Sequence, residues 1–255
     1  MTTPHALSDA CPSAAPIPVL RRALGSWRLA IDRVPLAPDE VTARYDRAAA
    51  GWGRRLDWSG FSAAYRRLME GLVQGGGPLA ALPDGAWVLD AATGSGALAL
   101  ALAAAMHAAR PAATPLLFTA TDRSPAMVRA ARRAFGEAGL DAAVRLADIS
   151  RLPFDDGTLD AAIAGHVLEH LADPAVAVAE LVRVLRPGAP LLLLTTRPGP
   201  IGALIHLSWR IRPPAPATLR AWLRQAGVED VEIRPLQGPP WCRHATFVCT
   251  GRKAC

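Results

Sequence analysis

Apolar runs alternate with helix-like segments along residues 86–251, and this alternation constrains the fold more than any other feature of the chain. Runs with strand character occur at 86–91, 115–122, 142–148, 159–166, 189–196, 228–236 and 244–251. Helix-like segments lie between most of them, at 95–110, 125–139, 174–185 and 217–227. The run at 189–196, APLLLLTT, is unbroken, as expected for a strand that helices cover on both faces. The pattern therefore predicts an α/β protein with a parallel, doubly wound sheet.

The N-terminal part of the chain does not follow this alternation. Residues 1–18 are rich in proline, alanine and serine, which predicts a loose tail. The apolar residues of IPVLRRALGSWRLAIDR, at 17–33, are spaced roughly as on one helix face, so this amphipathic segment is predicted to be a helix. Three roles stay open for it: a lid, a helix on a membrane surface, or a helix packed against the core.

The segment before the regular region predicts a helical cap. Residues 38–73 have the character of one or two helices, with breaks near three glycines at 51, 53 and 60. The sequence QGGGPLAALPDG at 74–85 follows as a linker and a candidate boundary. We therefore divide the chain into a tail with the amphipathic segment (1–40), a helical cap (41–80) and a core (81–255) that carries an insertion at 197–217.

The charge of the chain suggests anionic partners but does not require them. The formal net charge is +6, and every basic residue except Lys253 is an arginine. A basic balance suits RNA or an acidic membrane surface. No dense basic run occurs anywhere, so a general bias toward arginine is the favoured explanation. We therefore expect no nucleic-acid partner.

Cysteine usage and hydropathy indicate the cellular setting. The four cysteines form no CxxC pair, which favours a reducing compartment. Cys242, His244 and Cys249 are loosely spaced and lack the fourth ligand of a structural zinc site, so no metal site is predicted. No signal-peptide pattern is visible, and the longest apolar run, 97–106, is far shorter than the ~20 residues of a membrane span. We expect a cytoplasmic protein without a transmembrane segment, with peripheral membrane contact left open.

A turn of small residues follows the first strand of the regular region, in VLDAATGSG at 88–96. Glycines at a strand-to-helix junction let a ligand approach the backbone closely. A dinucleotide fingerprint requires three glycines in the pattern G-x-G-x-x-G. Here only Gly94 and Gly96 are present, and Ala92 stands two positions before Gly94. The turn therefore matches a NAD-binding site poorly.

Acidic residues follow the next two strands as well. Asp122 stands at the end of the second strand, in TDRSPAM, and Asp148 follows the third, in ADISRLPF. A carboxylate after the second strand accepts hydrogen bonds from ribose hydroxyls in nucleotide-binding sheets. Capping of the next helix is the structural alternative for Asp122. Both acids lie beyond carboxyl ends of strands, where such sheets bind their ligands.

These segments together resemble the motifs of class I S-adenosylmethionine-dependent methyltransferases, in the small-molecule branch often called methyltransferase type 11. VLDAATGSG resembles the first motif with Ala92 in place of its first glycine, and the segments around Asp122 and Asp148 resemble the next two. LPFDDGTLDAAIAGHVLEHLADP and ELVRVLRPGAPLLLLTTR resemble the motifs that follow, so the match covers 86–197 in order. The chain is similar in this respect to quinone C-methyltransferases and phospholipid N-methyltransferases.

The resemblance implies a fold, a cofactor and a reaction. The fold is a Rossmann-like seven-stranded sheet with its last strand antiparallel and an N-terminal helical cap. The cofactor is S-adenosylmethionine, and the reaction is methyl transfer to a small-molecule acceptor by in-line displacement. Asp90 interacts with the ammonium side of the cofactor, Asp122 with the ribose and Asp148 with the adenine amino group, while Ile149 packs on the adenine ring. The further cofactor-binding residues are Tyr45, which closes over the cofactor, and Ala92, Gly94, Gly96, Arg123, Met127 and His166.

Catalytic and substrate residues follow less directly. Methyl transfer needs alignment and exclusion of water, and it needs a base only when the acceptor starts protonated. His166, directly after the fourth strand, and His170, on the next turn, are the candidate catalytic residues, with a structural contact as the alternative. Acceptor recognition is expected from outside the shared core, at Trp52, Arg197, His206 and Trp209. The apolar and basic residues of 197–217 suit an acceptor with an apolar body and an acidic group.

Three other functions were weighed against this one. The net charge favours an RNA methyltransferase, but GHVL stands where amino-directed nucleic-acid enzymes carry an N/D-P-P-Y/F motif. A protein that binds the cofactor without transferase activity stays open, because the acids indicate binding and not turnover. A NAD-dependent oxidoreductase is disfavoured by the missing third glycine.

Overall fold

A computed structural model of the chain describes residues 17–33, 36–74, 76–201 and 209–255. The strands are β1 (Ile17–Leu24), β2 (Trp27–Arg33), β3 (Trp87–Ala91), β4 (Leu117–Asp122), β5 (Ala142–Leu146), β6 (Ala161–Gly165), β7 (Pro190–Thr196), β8 (Val228–Pro235) and β9 (Thr246–Lys253). The helices are α1 (Pro38–Ala48), α2 (Trp52–Trp58), α3 (Phe61–Gln74), α4 (Ala97–Ala109), α5 (Pro125–Ala138), α6 (Pro174–Val184), α7 (Pro216–Gln225) and α8 (Pro240–Ala245).

Strands β3 to β9 form one seven-stranded sheet in the order β5-β4-β3-β6-β7-β9-β8. The strands β3 to β7 are parallel to one another, and β9 runs antiparallel to both β7 and β8. The predicted doubly wound sheet with an antiparallel last strand is confirmed. The chain leaves β3 toward β4 and β5 and then returns to the other side of β3 with β6. This reversal opens a crevice at the carboxyl ends of β3 and β6, where such sheets bind ligands.

Helices cover both faces of the sheet, as the apolar strands require. Alternate residues of β7 enter different core clusters, because side chains alternate between the faces of a strand. Leu192 and Leu194 pack in the cluster that contains residues of α3, α4 and α5. Leu191 and Leu193 pack in the cluster that contains residues of α6 and α7. The unbroken apolar run of β7 is thus explained by burial on both sides.

The helix that follows β4 begins and ends at residues suited to these positions. Ser124 caps α5, its side chain accepting a hydrogen bond from the Met127 amide, and Pro125 occupies the first turn. Gly139 follows the last turn with φ +66°. These local signals fix where α5 starts, and so they fix the position of Asp122 just before it.

Three helices, α1 to α3, occupy the region predicted as a helical cap. A 3₁₀ turn at 49–51 separates α1 from α2, and Gly60, with φ +76°, separates α2 from α3. The breaks fall at two of the predicted glycines, Gly51 and Gly60, whereas Gly53 lies within α2. The third helix is not separate from the core, since its buried residues belong to the cluster that also contains α4 and α5. None of the helices in the described residues is long and apolar enough to cross a membrane.

The helix predicted for residues 17–33 is wrong, because this segment forms an antiparallel hairpin of β1 and β2. Leu24 pairs with Trp27 across a two-residue turn, and Gly25 has φ +61° at the first position of that turn. A Gly-Ser pair between two apolar runs is a hairpin signal, because glycine adopts this backbone conformation without a Cβ clash. The tight turn at Gly25 therefore determines the structure of this segment, although its apolar residues have helical spacing. The short helix α8 before β9 was also not predicted.

Substitution of Gly96 at the start of α4 should destabilise the protein. Gly96 has φ +86°, and a Cβ there would lie 2.8 Å from Cζ of the buried Phe135 on α5. Gly96→Ala combines overpacking with a left-handed alanine, so we expect a loss of roughly 1–3 kcal/mol in unfolding free energy, measured by urea denaturation. The control is Gly136→Ala in α5, where a Cβ meets open space. It should stabilise the protein by roughly 0.5–1 kcal/mol. Equal stabilities for the two variants would contradict this packing.

Candidate functional site

A cavity of about 620 Å³ lies at the carboxyl ends of the parallel strands. Its floor comes from the residues that follow β3, β4, β5, β6 and β7, and α1 and α2 cover it from the cap. Cavities of this size hold small organic molecules. The cavity therefore lies at the place that the reversal of strand order predicts.

The turn after β3 is tied to β4 by two hydrogen bonds. The Thr93 amide donates to the Thr121 carbonyl over 2.8 Å, and the Gly94 amide donates to Asp122 Oδ2 over 2.9 Å. Ala92 and Gly94 have φ +53° and +56°. The left-handed conformation costs an alanine roughly 1–2 kcal/mol, so Ala92 keeps the glycine geometry of the motif at some expense of stability.

Asp122 faces the cavity and organises its surroundings. Its Oδ1 accepts a hydrogen bond from the Ser124 amide over 2.8 Å, while Oδ2 holds Gly94. Burial raises the pKa of Asp122, and these amides counteract the increase. The Ser124 hydroxyl donates in turn to Asp46 on α1 over 2.5 Å. The cap is thereby attached to the loop that carries Asp122.

Asp90 is a buried carboxylate with one unused oxygen. Its Oδ2 accepts a hydrogen bond from the Thr93 hydroxyl over 2.6 Å. Its Oδ1 has no hydrogen-bond partner among the described residues, although it is buried. Burial raises the pKa of Asp90 to about 7. An unpaired buried oxygen of this kind fits a cationic group of a ligand, because a charged partner offsets the cost of desolvation.

Residues after β4 and β5 form the rim of the cavity. Asp148 Oδ1 accepts a hydrogen bond from the Ser150 amide over 2.8 Å, and Oδ2 lies 3.5 Å from the Arg123 guanidinium. Arg123 also donates to Asp39 of α1 over 3.1 Å. Ile149 is buried and lines the cavity, so it offers an apolar surface next to the exposed part of Asp148.

Four aromatic side chains cover the cavity. The ring of Tyr45 lies 5.4 Å from Trp52, 5.4 Å from His170 and 5.1 Å from Trp209, measured between centroids. The Tyr45 hydroxyl and His170 Nε2 share a hydrogen bond of 2.9 Å. Burial lowers the pKa of His170 to about 4, so its imidazole is neutral at neutral pH. These four rings form an aromatic roof over part of the cavity.

His166 stands at the end of β6 in a network of hydrogen-bonding groups. Its Nδ1 lies 3.3 Å from Glu169 Oε1 and 3.4 Å from Thr196 Oγ1, and its Nε2 lies 3.5 Å from Thr246 Oγ1. Glu169 is buried, and its Oε1 accepts hydrogen bonds from the Thr196 amide (2.9 Å) and hydroxyl (2.6 Å). Burial alone would raise the pKa of Glu169. The hydrogen bond and charge of His166, the charge of His170 and the Thr196 hydroxyl lower it to about 2.

The structure places most of the predicted site residues around this cavity. Those that line it are Tyr45, Trp52, Asp90, Ala92, Gly94, Asp122, Arg123, Asp148, Ile149, His166, His170 and Trp209. Three other predicted site residues, Gly96, Met127 and Arg197, do not line the cavity. Gly96 and Met127 lie behind the lining and serve the packing and start of α4 and α5, and Arg197 lies over the ring of Phe247. His206 lies outside the described residues.

Sequence reasoning missed several residues that line the cavity. Thr196 ends β7, so the rule that found Asp122 should also have found it. Thr246 opens the antiparallel strand β9, which sends its amino end to this edge. Phe61 and Tyr65 come from α3, whose helical pattern gives no signal that one end of the helix reaches the site.

Comparisons with known proteins agree with this geometry. A family model described as a methyltransferase domain matches residues 89–193. A ubiquinone/menaquinone biosynthesis C-methyltransferase of Desulfotalea psychrophila is 37% identical over 116 residues, which cover 46% of this chain and 44% of the relative. A ubiquinone biosynthesis O-methyltransferase of Xanthomonas axonopodis pv. citri is 30% identical over 178 residues, which cover 64% of this chain and 71% of the relative.

The chain belongs to the class I S-adenosylmethionine-dependent methyltransferases. Among solved structures, a chain of the complex that contains the Haloferax volcanii Trm112 methyltransferase activator aligns with a TM-score of 0.63 at 21% identity. That alignment covers 83% of this chain and 98% of the other, and it supports the fold alone. The predicted family, fold class and cofactor are confirmed. The match to the C-methyltransferase spans less than half of that relative's length.

The residues of the cavity fit the cofactor of this family. The unused Oδ1 of Asp90 suits the cofactor's ammonium group, and the carboxylate of Asp122 at the end of β4 suits a ribose. The glycine turn leaves space beside Gly94, where even a Cβ would reach only the Trp52 indole, at 3.7 Å. The buried Ile149 suits the face of an adenine ring.

Proposed function

We propose that this chain binds S-adenosylmethionine in the cavity and transfers its methyl group to a small-molecule acceptor. The observation that carries the proposal is the hydrogen bond between the Gly94 amide and Asp122, which joins the ends of β3 and β4 beside the strand reversal, at the edge of a cavity with an aromatic roof. When bound, the cofactor supplies an electrophilic methyl group on a sulfonium, which leaves as a neutral thioether. A cytoplasmic location stays a prediction.

The residues that line the cavity divide into two groups, which we call the cofactor half and the acceptor half. Asp90, Asp122 and Asp148 lie after β3, β4 and β5 and would hold the ammonium group, the ribose and the adenine amino group. The acceptor half lies after β6 and β7, where His166 faces Phe61 with ring centroids 6.0 Å apart. This division supports methyl transfer, which requires an acceptor aligned with the methyl group and shielded from water.

The acceptor half favours a molecule with an apolar body. Its walls include Leu56, Phe61 and Tyr65 from the cap, and Ile211 from the segment after β7. The acidic group expected on the acceptor has less support, since Arg197 lies over Phe247 and not on the cavity. A concave, mainly apolar pocket also suits a small molecule better than an RNA chain, which is bound through exposed basic and aromatic surfaces.

Asp122 should dominate the affinity for the cofactor. Asp122→Ala removes a charged acceptor for the ribose hydroxyls and the anchor of the Gly94 amide. We expect the affinity for S-adenosylhomocysteine to fall by about 1.5–3 kcal/mol, measured by calorimetry on a variant whose melting temperature is also recorded. The control is Asp141→Ala, an exposed carboxylate before β5, which should leave the affinity unchanged. Unchanged affinity in Asp122→Ala would refute the ribose contact.

Binding of the cofactor should release a proton from Asp90. The pKa of this carboxyl is raised to about 7 in the free protein, and a cation beside Oδ1 favours the ionised form. Below pH 7 the proton must leave before the ammonium group binds. The affinity for S-adenosylhomocysteine should therefore fall up to about tenfold per pH unit below pH 7 and level off above it.

Calorimetry in two buffers with different ionisation enthalpies measures this proton release directly. Asp90→Asn cannot lose a proton, so its affinity, although weaker, should lose the pH dependence between pH 6 and 8. A pH dependence that persists in Asp90→Asn would assign the linkage to another group.

A further inference from the structure

We infer that Glu169 positions His166 as a base for an acceptor hydroxyl, so that the atom methylated is the oxygen of a hydroxylated aromatic molecule. This inference rests on the proposed function and specifies the acceptor of the same site. It assigns a catalytic role to His166, which faces the acceptor half, and a positioning role to Glu169, which acts through His166.

The hydrogen bonds around Glu169 determine which nitrogen of His166 carries the proton. Glu169 Oε1 already accepts from the Thr196 amide and hydroxyl, and it lies 3.3 Å from His166 Nδ1. A carboxylate can only accept, so the proton of this contact belongs to Nδ1. The Thr196 hydroxyl gives its own proton to Glu169, and it too can only accept from Nδ1. Nε2 therefore carries the lone pair on the side of the cavity, where it accepts from the Thr246 hydroxyl over 3.5 Å until an acceptor hydroxyl takes that place.

The backbone holds the imidazole in this place despite strain. His166 has φ +55°, a conformation that a non-glycine residue adopts at a cost of roughly 1–3 kcal/mol. Its amide donates to the Leu194 carbonyl over 2.7 Å, so the end of β6 is fixed to β7. Strained residues that persist at strand ends beside a cavity are typical of functional sites.

The charges around the imidazole favour its role as a base. Glu169 supplies a buried negative charge, which stabilises the imidazolium that forms when His166 takes a proton. Three other titratable side chains near this turn, His170, Tyr65 and Tyr45, are uncharged at neutral pH, while the cation of Arg44 acts on His170 from α1. Burial lowers the pKa of His170 to about 4, and burial raises the pKa values of Tyr65 on α3 and Tyr45 on α1.

A base of this kind points to a hydroxyl as the acceptor. An amine attacks through a free lone pair, and a thiol ionises readily, whereas a hydroxyl needs a base to become a good nucleophile. A phenolate can also react at a ring carbon, and we assign the oxygen because it is the atom that must lie at His166 Nε2 to give up its proton. In the step, the acceptor oxygen forms a bond to the methyl carbon, the carbon–sulfur bond breaks with its electron pair going to sulfur, and the hydroxyl proton moves to His166 Nε2. The aromatic and apolar walls of Phe61, Tyr65 and Leu56 favour an aromatic ring as the body of this acceptor.

The first experiment identifies the acceptor atom. The wild-type protein is assayed with matched panels of phenols and catechols, anilines and thiophenols on the same ring skeletons. Mass spectrometry and proton NMR locate the transferred methyl group. We expect O-methyl products from phenols or catechols. Transfer only to carbon, nitrogen or sulfur, or cofactor binding with no transfer to any phenol or catechol, would overturn this inference and leave the proposed function standing; a protein that does not bind S-adenosylhomocysteine would overturn both.

The second experiment tests the role of Glu169 with two acceptors of different acidity. With a phenol that is protonated at the assay pH, Glu169→Gln should lower kcat by about 10²-fold or more, with KM for the acceptor nearly unchanged. With a nitro-substituted phenol of the same skeleton, which is already ionised, most of this loss should disappear. Glu169→Asp should recover part of the activity. The control, Glu137→Gln on the exposed side of α5, should match the wild type.

A purely structural role for Glu169 would give a different result. Glu169→Gln would then lose the same factor with both acceptors, and its affinity for S-adenosylhomocysteine or its melting temperature would fall in parallel. That outcome would overturn the positioning role. His166→Ala provides the matching comparison, since it should lose kcat with the protonated phenol at least as strongly as Glu169→Gln.

Discussion

The hydrogen bond from the Gly94 amide to Asp122 holds together the two strand ends on which the site depends. It joins the turn after β3 to the end of β4, and through Ser124 it also reaches Asp46 on the cap. Because β3 lies between β4 and β6, this bond fixes one side of the crevice that opens where the strand order reverses. The cofactor half and the acceptor half of the cavity take their relative positions from this arrangement.

Strain is concentrated on the two sides of this crevice. Ala92, after β3, and His166, after β6, both adopt positive φ although neither is a glycine. The surrounding hydrogen bonds maintain these conformations, which bring a backbone turn and an imidazole to face one cavity. A buried carboxylate accompanies each of these strained residues. Asp90 has one oxygen without a partner among the described residues, and Glu169 has a negative charge beside His166. Asp90 on the β3 side is thus suited to a cationic group of the cofactor, and on the β6 side His166 is the base that we infer for the acceptor.

Sequence reasoning recovered the core and the acids of the site because both depend on local patterns. Apolar runs and the acids at their ends locate Asp90, Asp122 and Asp148 without knowledge of the packing. It failed at 17–33, where the turn formed at Gly25 overrides helical spacing. The ligand contact of Met127 stays a prediction, and this residue is buried in α5 behind the residues that line the cavity. The network of Glu169, Thr196 and Thr246 joins three separate elements, so no local pattern shows it.

A thermal-shift titration with S-adenosylhomocysteine beside NAD tests the central claim most directly. A ligand at about 100 times its dissociation constant stabilises the folded state by roughly 2.7 kcal/mol, which corresponds to about 5–10 °C in a chain of this size. We expect a shift of this order with S-adenosylhomocysteine and none with NAD. A shift with NAD alone, or with neither ligand, would contradict the assignment of the cavity to S-adenosylmethionine.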